Sequence, residues 1–211
     1  MRIARFLLST LLYLIAFNCD LVGQILVGPK VGFNLGVFSV DNQAPEAKNS
    51  LRFGWTFGGI GELRISDNLS FQVEPTYINK GTKVSFFDGI RQVDSDLRFS
   101  YLQIPLTVKA KISAQAFSPY AFVGPNLGFL LSAKAESNLG GYQHESDLTS
   151  DYRKTDIAID AGLGFELPLT EFIILTADAR YSFGLSNIDA RKIGAVRTRG
   201  VQLFIGTLFQ L

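Results

Sequence analysis

The single histidine of this 211-residue chain, His144, lies in Gly140-Gly141-Tyr142-Gln143-His144-Glu145-Ser146-Asp147. A serine, a histidine and an acid this close invite a nucleophilic triad, in which the imidazole takes the hydroxyl proton and the acid orients it. A triad is defined by geometry, however, and neighbours along one polar segment rarely converge, so the segment reads as a hydrated loop. One Cys and one His are too few for a structural zinc site, and no internal disulfide is possible. Asp147, Asp151 and Asp156 lack the spacing of an EF-hand loop, and no glycine-rich phosphate loop joins a strand to a helix. No enzyme activity, cofactor or metal is expected.

The remaining chemistry is charge placed at every second residue. From Asp156 the chain reads Asp-Ile-Ala-Ile-Asp-Ala-Gly-Leu-Gly-Phe-Glu-Leu, with Ile157, Ile159, Ala161, Leu163, Phe165 and Leu167 alternating against Asp156, Asp160, Glu166 and glycines. Side chains alternate across a strand, so one face is apolar and the other carries carboxylates, whereas a helix would scatter them. The split recurs. Leu102, Ile104, Leu106 and Val108 oppose Gln103, Thr107, Lys109 and Lys111; Ile173, Leu175, Ala177 and Ala179 oppose Thr176, Asp178 and Arg180. Segments near 25–38, 52–65, 69–83 and 119–134 put Lys30, Arg52, Glu62, Arg64, Glu74, Lys80, Asn126 and Lys134 on their polar faces, and the last segment puts Val201, Leu203, Ile205 and Phe209 on one side. Eight strands of about 12 to 15 residues are predicted, joined by short connections at 66–68, 113–118 and 168–171 and longer polar ones at 39–50, 84–97, 135–153 and 186–198.

Two architectures suit eight up-and-down strands: a soluble ligand-holding barrel of lipocalin type, and a transmembrane barrel with the pattern inverted. Strand length suffices to span a bilayer, which needs roughly 9–11 residues per tilted strand. Gly28, Gly32, Gly58, Gly124, Gly162 and Gly164 share the charged face. Small residues among long charged ones suit the cramped inside of an eight-stranded barrel, whereas glycine on a solvated face packs nothing. The expected fold is therefore an all-β, eight-stranded antiparallel up-and-down transmembrane β-barrel with long loops outside the cell. Its lumen holds a charge network of Lys30, Arg52, Glu62, Arg64, Glu74, Lys109, Asp156, Asp160, Glu166, Asp178 and Arg180. Both signs are present, so the residues can pair as a polar plug; a narrow path for ions or small solutes is the competing reading.

Arg2 and Arg5 precede an apolar run from Phe6 to Phe17, the pattern of a secretory signal peptide and too short for a membrane-spanning helix. Cleavage is expected after Gly23, giving residues 1–23 as signal and 24–211 as barrel; a lipidated Cys19 fits poorly after Asn18. Removing Arg2, Arg5 and Asp20 from 20 basic and 19 acidic residues leaves 18 of each. A neutral mature chain argues against nucleic-acid binding.

Tyr101-Leu102-Gln103-Ile104-Pro105-Leu106, Pro119-Tyr120-Ala121-Phe122-Val123-Gly124-Pro125-Asn126-Leu127-Gly128 and Val27-Gly28-Pro29-Lys30-Val31-Gly32-Phe33-Asn34 resemble the PorT-like outer-membrane β-barrel family of Bacteroidetes. The resemblance covers essentially the whole mature chain. It implies an outer-membrane barrel, and the named family member serves a secretion and gliding apparatus. Pro105 and Pro125 fall inside strands, where the resemblance suggests bulges. The expected role is structural or accessory, through protein contacts in the envelope, with outer-membrane lipid and lipopolysaccharide around a monomeric barrel. A lipid-modifying enzyme is the remaining alternative. The loop 135–153 and the basic loop 186–198, with Arg191, Lys192 and Arg197, are the expected contact surfaces.

Overall fold

A computed structural model describes residues 24–40, 48–87, 92–114, 117–139, 142–190 and 196–211. The expected signal peptide, residues 1–23, lies outside the described residues. Ten strand segments form the sheet: β1 (Ile25–Val40), β2 (Lys48–Arg64), β3 (Leu69–Val73), β4 (Thr76–Phe87), β5 (Gln92–Lys111), β6 (Ser118–Leu139), β7 (Tyr142–Asp147), β8 (Thr155–Pro168), β9 (Ile173–Gly184) and β10 (Val196–Gln210). They build eight wall strands. β3 and β4 are two halves of one, each pairing with β2 on one side and β5 on the other. The break falls at Glu74-Pro75, where proline has no N–H to give the ladder. Pro75 still accepts from the Gly59 amide at 3.0 Å, and the Glu74 amide donates to Pro105 at 3.1 Å. β7 is an appendage folded back on the end of β6.

The ring closes where β1 meets β10, in antiparallel register from Leu26 opposite Gln210 to Val40 opposite Val196. Closure matters because hydrocarbon offers no partner to an unpaired peptide group, so a sheet in lipid must leave no edge. The apolar side chains point outward: Val31, Phe33, Phe53 and Trp55 are all more than half exposed, while Lys30, Lys109 and Asp160 are buried inside. This inverts a soluble protein and matches a lipid-facing band around a polar lumen. Phe33 with Phe53, Trp55 with Phe57, and Phe57 with Tyr77 make an aromatic row across β1, β2 and β4, at centroid distances of 5.2, 5.4 and 5.3 Å.

The structure corrects several details. β5 has 20 residues and β6 has 22, longer than the 12 to 15 expected. Most of the expected loop 84–97 is wall, with Phe87 opposite Gln92. Much of 135–153 is the β6–β7 hairpin, followed by a single 3-10 turn, Thr149–Asp151. Beyond the membrane both strand faces meet water, so the apolar alternation that marks a strand disappears there. No register shift falls at Pro105 or Pro125, which stay opposite Asn126 and Ile159. The shifts fall at Ser100/Tyr101 and between Leu51 and Thr56. At the first, Ser100 faces Ser132 but Tyr101 faces Leu130, so Leu131 is the extra residue of a bulge. That bulge reverses the phase of β6: Ala133 is buried and Lys134 turns outward, not onto the lumenal face where strict alternation put it.

Candidate functional site

The lumen is built in tiers. At the short-turn end, Lys109 lies between two carboxylates, donating to Glu62 at 2.8 Å and to Glu166. Lys111 and Arg64 also reach Glu166, at 3.1 and 3.3 Å, Arg64 sits 3.5 Å from Glu62, and Gln72 donates to Glu62 at 2.8 Å. β2, β3, β5 and β8 supply this cluster, because each places polar residues inward at the same height. Beside it, Leu26, Ile60, Ile174 and Leu208 close the remaining section with an apolar cluster.

Above lies a second ionic tier. Glu74 receives Lys30 at 2.6 Å and Arg180 at 2.5 Å, and Arg180 also holds Asp178 at 2.9 Å. The Arg180 guanidinium lies between two aromatic faces, 4.7 Å from the Phe122 centroid and 4.6 Å from that of Phe204; the Lys30 ammonium is 3.8 Å from the same Phe204 ring. A cation on an aromatic face in a dry setting gains as much as about 2 kcal/mol. The rings themselves rest on glycines: a Cβ on Gly162 would come within 2.5 Å of Phe122 Cζ, and one on Gly164 would strike the Tyr120 ring. Small residues on β8 thus make room for large ones on β6.

Asp160 accepts from Asn126 at 2.8 Å. Asp156 accepts from Ser186 at 2.8 Å and Thr198 at 2.9 Å, with Lys80 3.6 Å away. Over this tier sits an apolar cap of Ile78, Phe99, Tyr101, Leu130, Ala133 and Ile188, joined by Leu148, Tyr152 and Val196. Chain from two loops folds into the cap. Tyr152 bridges to Asp189, its ring meets Phe99 edge-on at 4.7 Å, and the Arg153 amide donates to Ile188 at 2.8 Å.

The structure therefore joins Glu62, Arg64, Lys109 and Glu166 in one group and Lys30, Glu74, Asp178 and Arg180 in another, with Asp160 and Asp156 in separate polar contacts. Arg52 differs. It pairs with Asp96 at 2.7 Å, and Asp96 meets Arg98, which reaches Glu136 at 2.6 Å. Arg52 thus belongs to a string of charges on the wall extension rather than to the lumenal tiers. The inward Leu26, Ile60, Tyr120, Phe122, Ile174, Phe204 and Leu208 were passed over in the sequence, although the same alternation puts each of them on the charged face.

His144 lies on β7 opposite Ser137, and its side chain is outside what the structure describes. The acids near it are engaged elsewhere: Glu145 with Lys134 at 2.6 Å, and Asp147 with the Thr149 amide at 2.8 Å. The Glu145 carboxylate holds the Lys134 ammonium above the ordinary lysine value, and hydrogen bonds from Thr149 hold Asp147 below the ordinary aspartate value. Among the described residues, no three His, Cys, Asp or Glu side chains come together in a way that could hold a metal ion.

Residues 18–190 match the family described as outer membrane protein beta-barrel domain. The chain belongs to that family. Membership places the protein in the bacterial outer membrane. Among solved structures, the fold is similar to OprG, an outer membrane protein of Pseudomonas aeruginosa, with 12% identity and a TM-score of 0.56 over 90% of this chain and 96% of that one. It is similar also to the Neisserial surface protein A, with 18% identity and a TM-score of 0.50 over 89% of this chain and 97% of that one. At such identities the likeness is one of fold. No curated protein sequence matches the chain.

Proposed function

We propose that this outer-membrane barrel is a structural or accessory envelope component that acts through protein contacts at its long-loop end, rather than a pore or an enzyme. The observation that carries the reading is the occlusion of the lumen. Paired charges fill two tiers, an apolar cluster closes part of the short-turn end, and the cap of Ile78, Phe99, Tyr101, Leu130, Ala133 and Ile188 covers the other. A solute would have to break buried ion pairs and then cross an apolar layer. An eight-stranded ring is only wide enough to be filled by its own side chains. Function is thereby displaced to the surfaces that leave the membrane, the β6–β7 hairpin among them.

In this reading the short turns face the periplasm and the long loops the exterior, the arrangement general to such barrels. The chain is exported with its first 23 residues removed and works as a monomeric barrel amid lipid and lipopolysaccharide. The resemblance to PorT-like proteins supports a secretion-related assembly as the setting. In-cell cross-linking of tagged protein, with mass spectrometry of what is retained in detergent, tests the proposal. A stoichiometric partner that is lost when residues 135–153 are replaced is expected. Reproducible conductance steps in planar bilayers, with no partner captured, would contradict it.

A further inference from the structure

The short-turn end carries a crowded ionic cluster. Three cations, Arg64, Lys109 and Lys111, share two carboxylates, Glu62 and Glu166. Both acids are already saturated: Glu62 accepts from Lys109 and Gln72 and faces Arg64, while Glu166 faces all three cations. Lys109 is enclosed, so of the three cations only Arg64 and Lys111 reach the mouth, where Asp67 stands beside them. Arg64 is held loosely, with all its contacts, to Glu62, Glu166 and Gln24, between 3.3 and 3.5 Å. A guanidinium offers five donors, and these long contacts leave it able to take a better acceptor.

Arg64 and Lys111 line a cavity of about 380 Å³ together with Gln24, Ser66, Asp67 and Ser113. This volume falls within the range of small-ligand sites. The rim of the cavity is fixed: Ser113 Oγ donates to the Asp67 carbonyl at 2.8 Å, and Asn68 donates to the Lys111 carbonyl at 2.8 Å. Two cations, one of them a planar fork, beside the Ser66 hydroxyl form a receptor for a carboxylate, which a guanidinium binds in bidentate fashion. Asp67 is the one acid on the rim and limits the affinity for any ligand of higher negative charge.

We propose that the short-turn mouth is a binding site for a single carboxylate group, presented by a peptide chain end or by a free organic acid, with Arg64 and Lys111 as the binding residues. The site lies at the opposite end of the barrel from the loops and goes beyond the reading above. It is tested by titrating the full chain, isotope-labelled in lipid nanodiscs, with N-acetyl-alanine, and following amide shifts across 64–67 and 111–113. N-acetyl-alaninamide and chloride at matched ionic strength serve as controls. Saturable shifts with the acid alone are expected. Lys111→Gln should weaken binding about tenfold, as for one charged hydrogen bond. Asp67→Asn should tighten it about twofold, the scale of one exposed charge. A hexapeptide with a free terminal alanine identifies the source: tighter binding than the small acid supports a chain end, and equal binding supports a free acid. Absence of saturation, an equal response to the amide or to chloride, or unchanged affinity in correctly folded Lys111→Gln would overturn the proposal.

Discussion

Glu74→Gln isolates the energetic core of the lumen. The carboxylate is buried and accepts both Lys30 and Arg180. The two cations lose unequally when it goes. Arg180 keeps its direct bond to Asp178 and two aromatic faces, whereas Lys30 keeps the Phe204 ring and only the more distant charge of Asp178. Removing one partner of a buried pair typically costs about 3–5 kcal/mol, because the other charge remains desolvated and unpaired. Glu74→Gln is therefore expected to destabilise the barrel by about 3–5 kcal/mol. Most of that cost should fall on Lys30, so Lys30→Met added to Glu74→Gln should recover at least half of it. Reversible urea unfolding in phospholipid vesicles measures both, with the single tryptophan, Trp55, as reporter on the lipid-facing wall. Loss of less than about 1 kcal/mol in Glu74→Gln, below the range for a broken buried pair, would refute the reasoning. Additive losses in the double variant would do the same, since coupled partners must not add.

Gly164→Ala would drive a methyl into the Tyr120 ring and should cost about 1–3 kcal/mol in the same unfolding assay, with Tyr120→Leu in the same chain recovering part of it. The β6–β7 hairpin should show pH-dependent amide protection at both extremes. The raised Lys134 contributes stability below about pH 10.5 that fades as pH rises through its folded value, and the lowered Asp147 contributes stability above about pH 3.8 that fades as pH falls through its own. Hydrogen exchange across 134–147, corrected for intrinsic rates, should be flat between these limits; a break near neutrality would point to another group.

The membrane-embedded wall was legible because its two faces meet different solvents, so Asp156 to Leu167 or Leu102 to Ile112 cannot alternate otherwise. Charge pairing was legible only as a possibility. That Lys30 meets Glu74, and Lys109 meets Glu166, depends on the shear that sets β1 level with the β3–β4 break on the far side of β2, and β5 across from β8. Three features were hidden for physical reasons. Above the bilayer both faces are wet, so β5 and β6 continue without an apolar signature. The extra residue Leu131 leaves no local mark, yet it turns Lys134 outward. The cap depends on Tyr152 and Ile188, apolar residues in segments that read as polar loops and find their partners only when two loops fold over the same mouth.

The assignment of faces is tested most directly by the emission of Trp55 in vesicles. Lipids brominated along their acyl chains should quench it strongly, while iodide in the aqueous phase should leave it almost unchanged, because the indole stands on the outer wall beside Phe57 and Tyr77. Strong quenching by iodide with little effect of brominated chains would put the apolar face out of the lipid and contradict the inverted barrel.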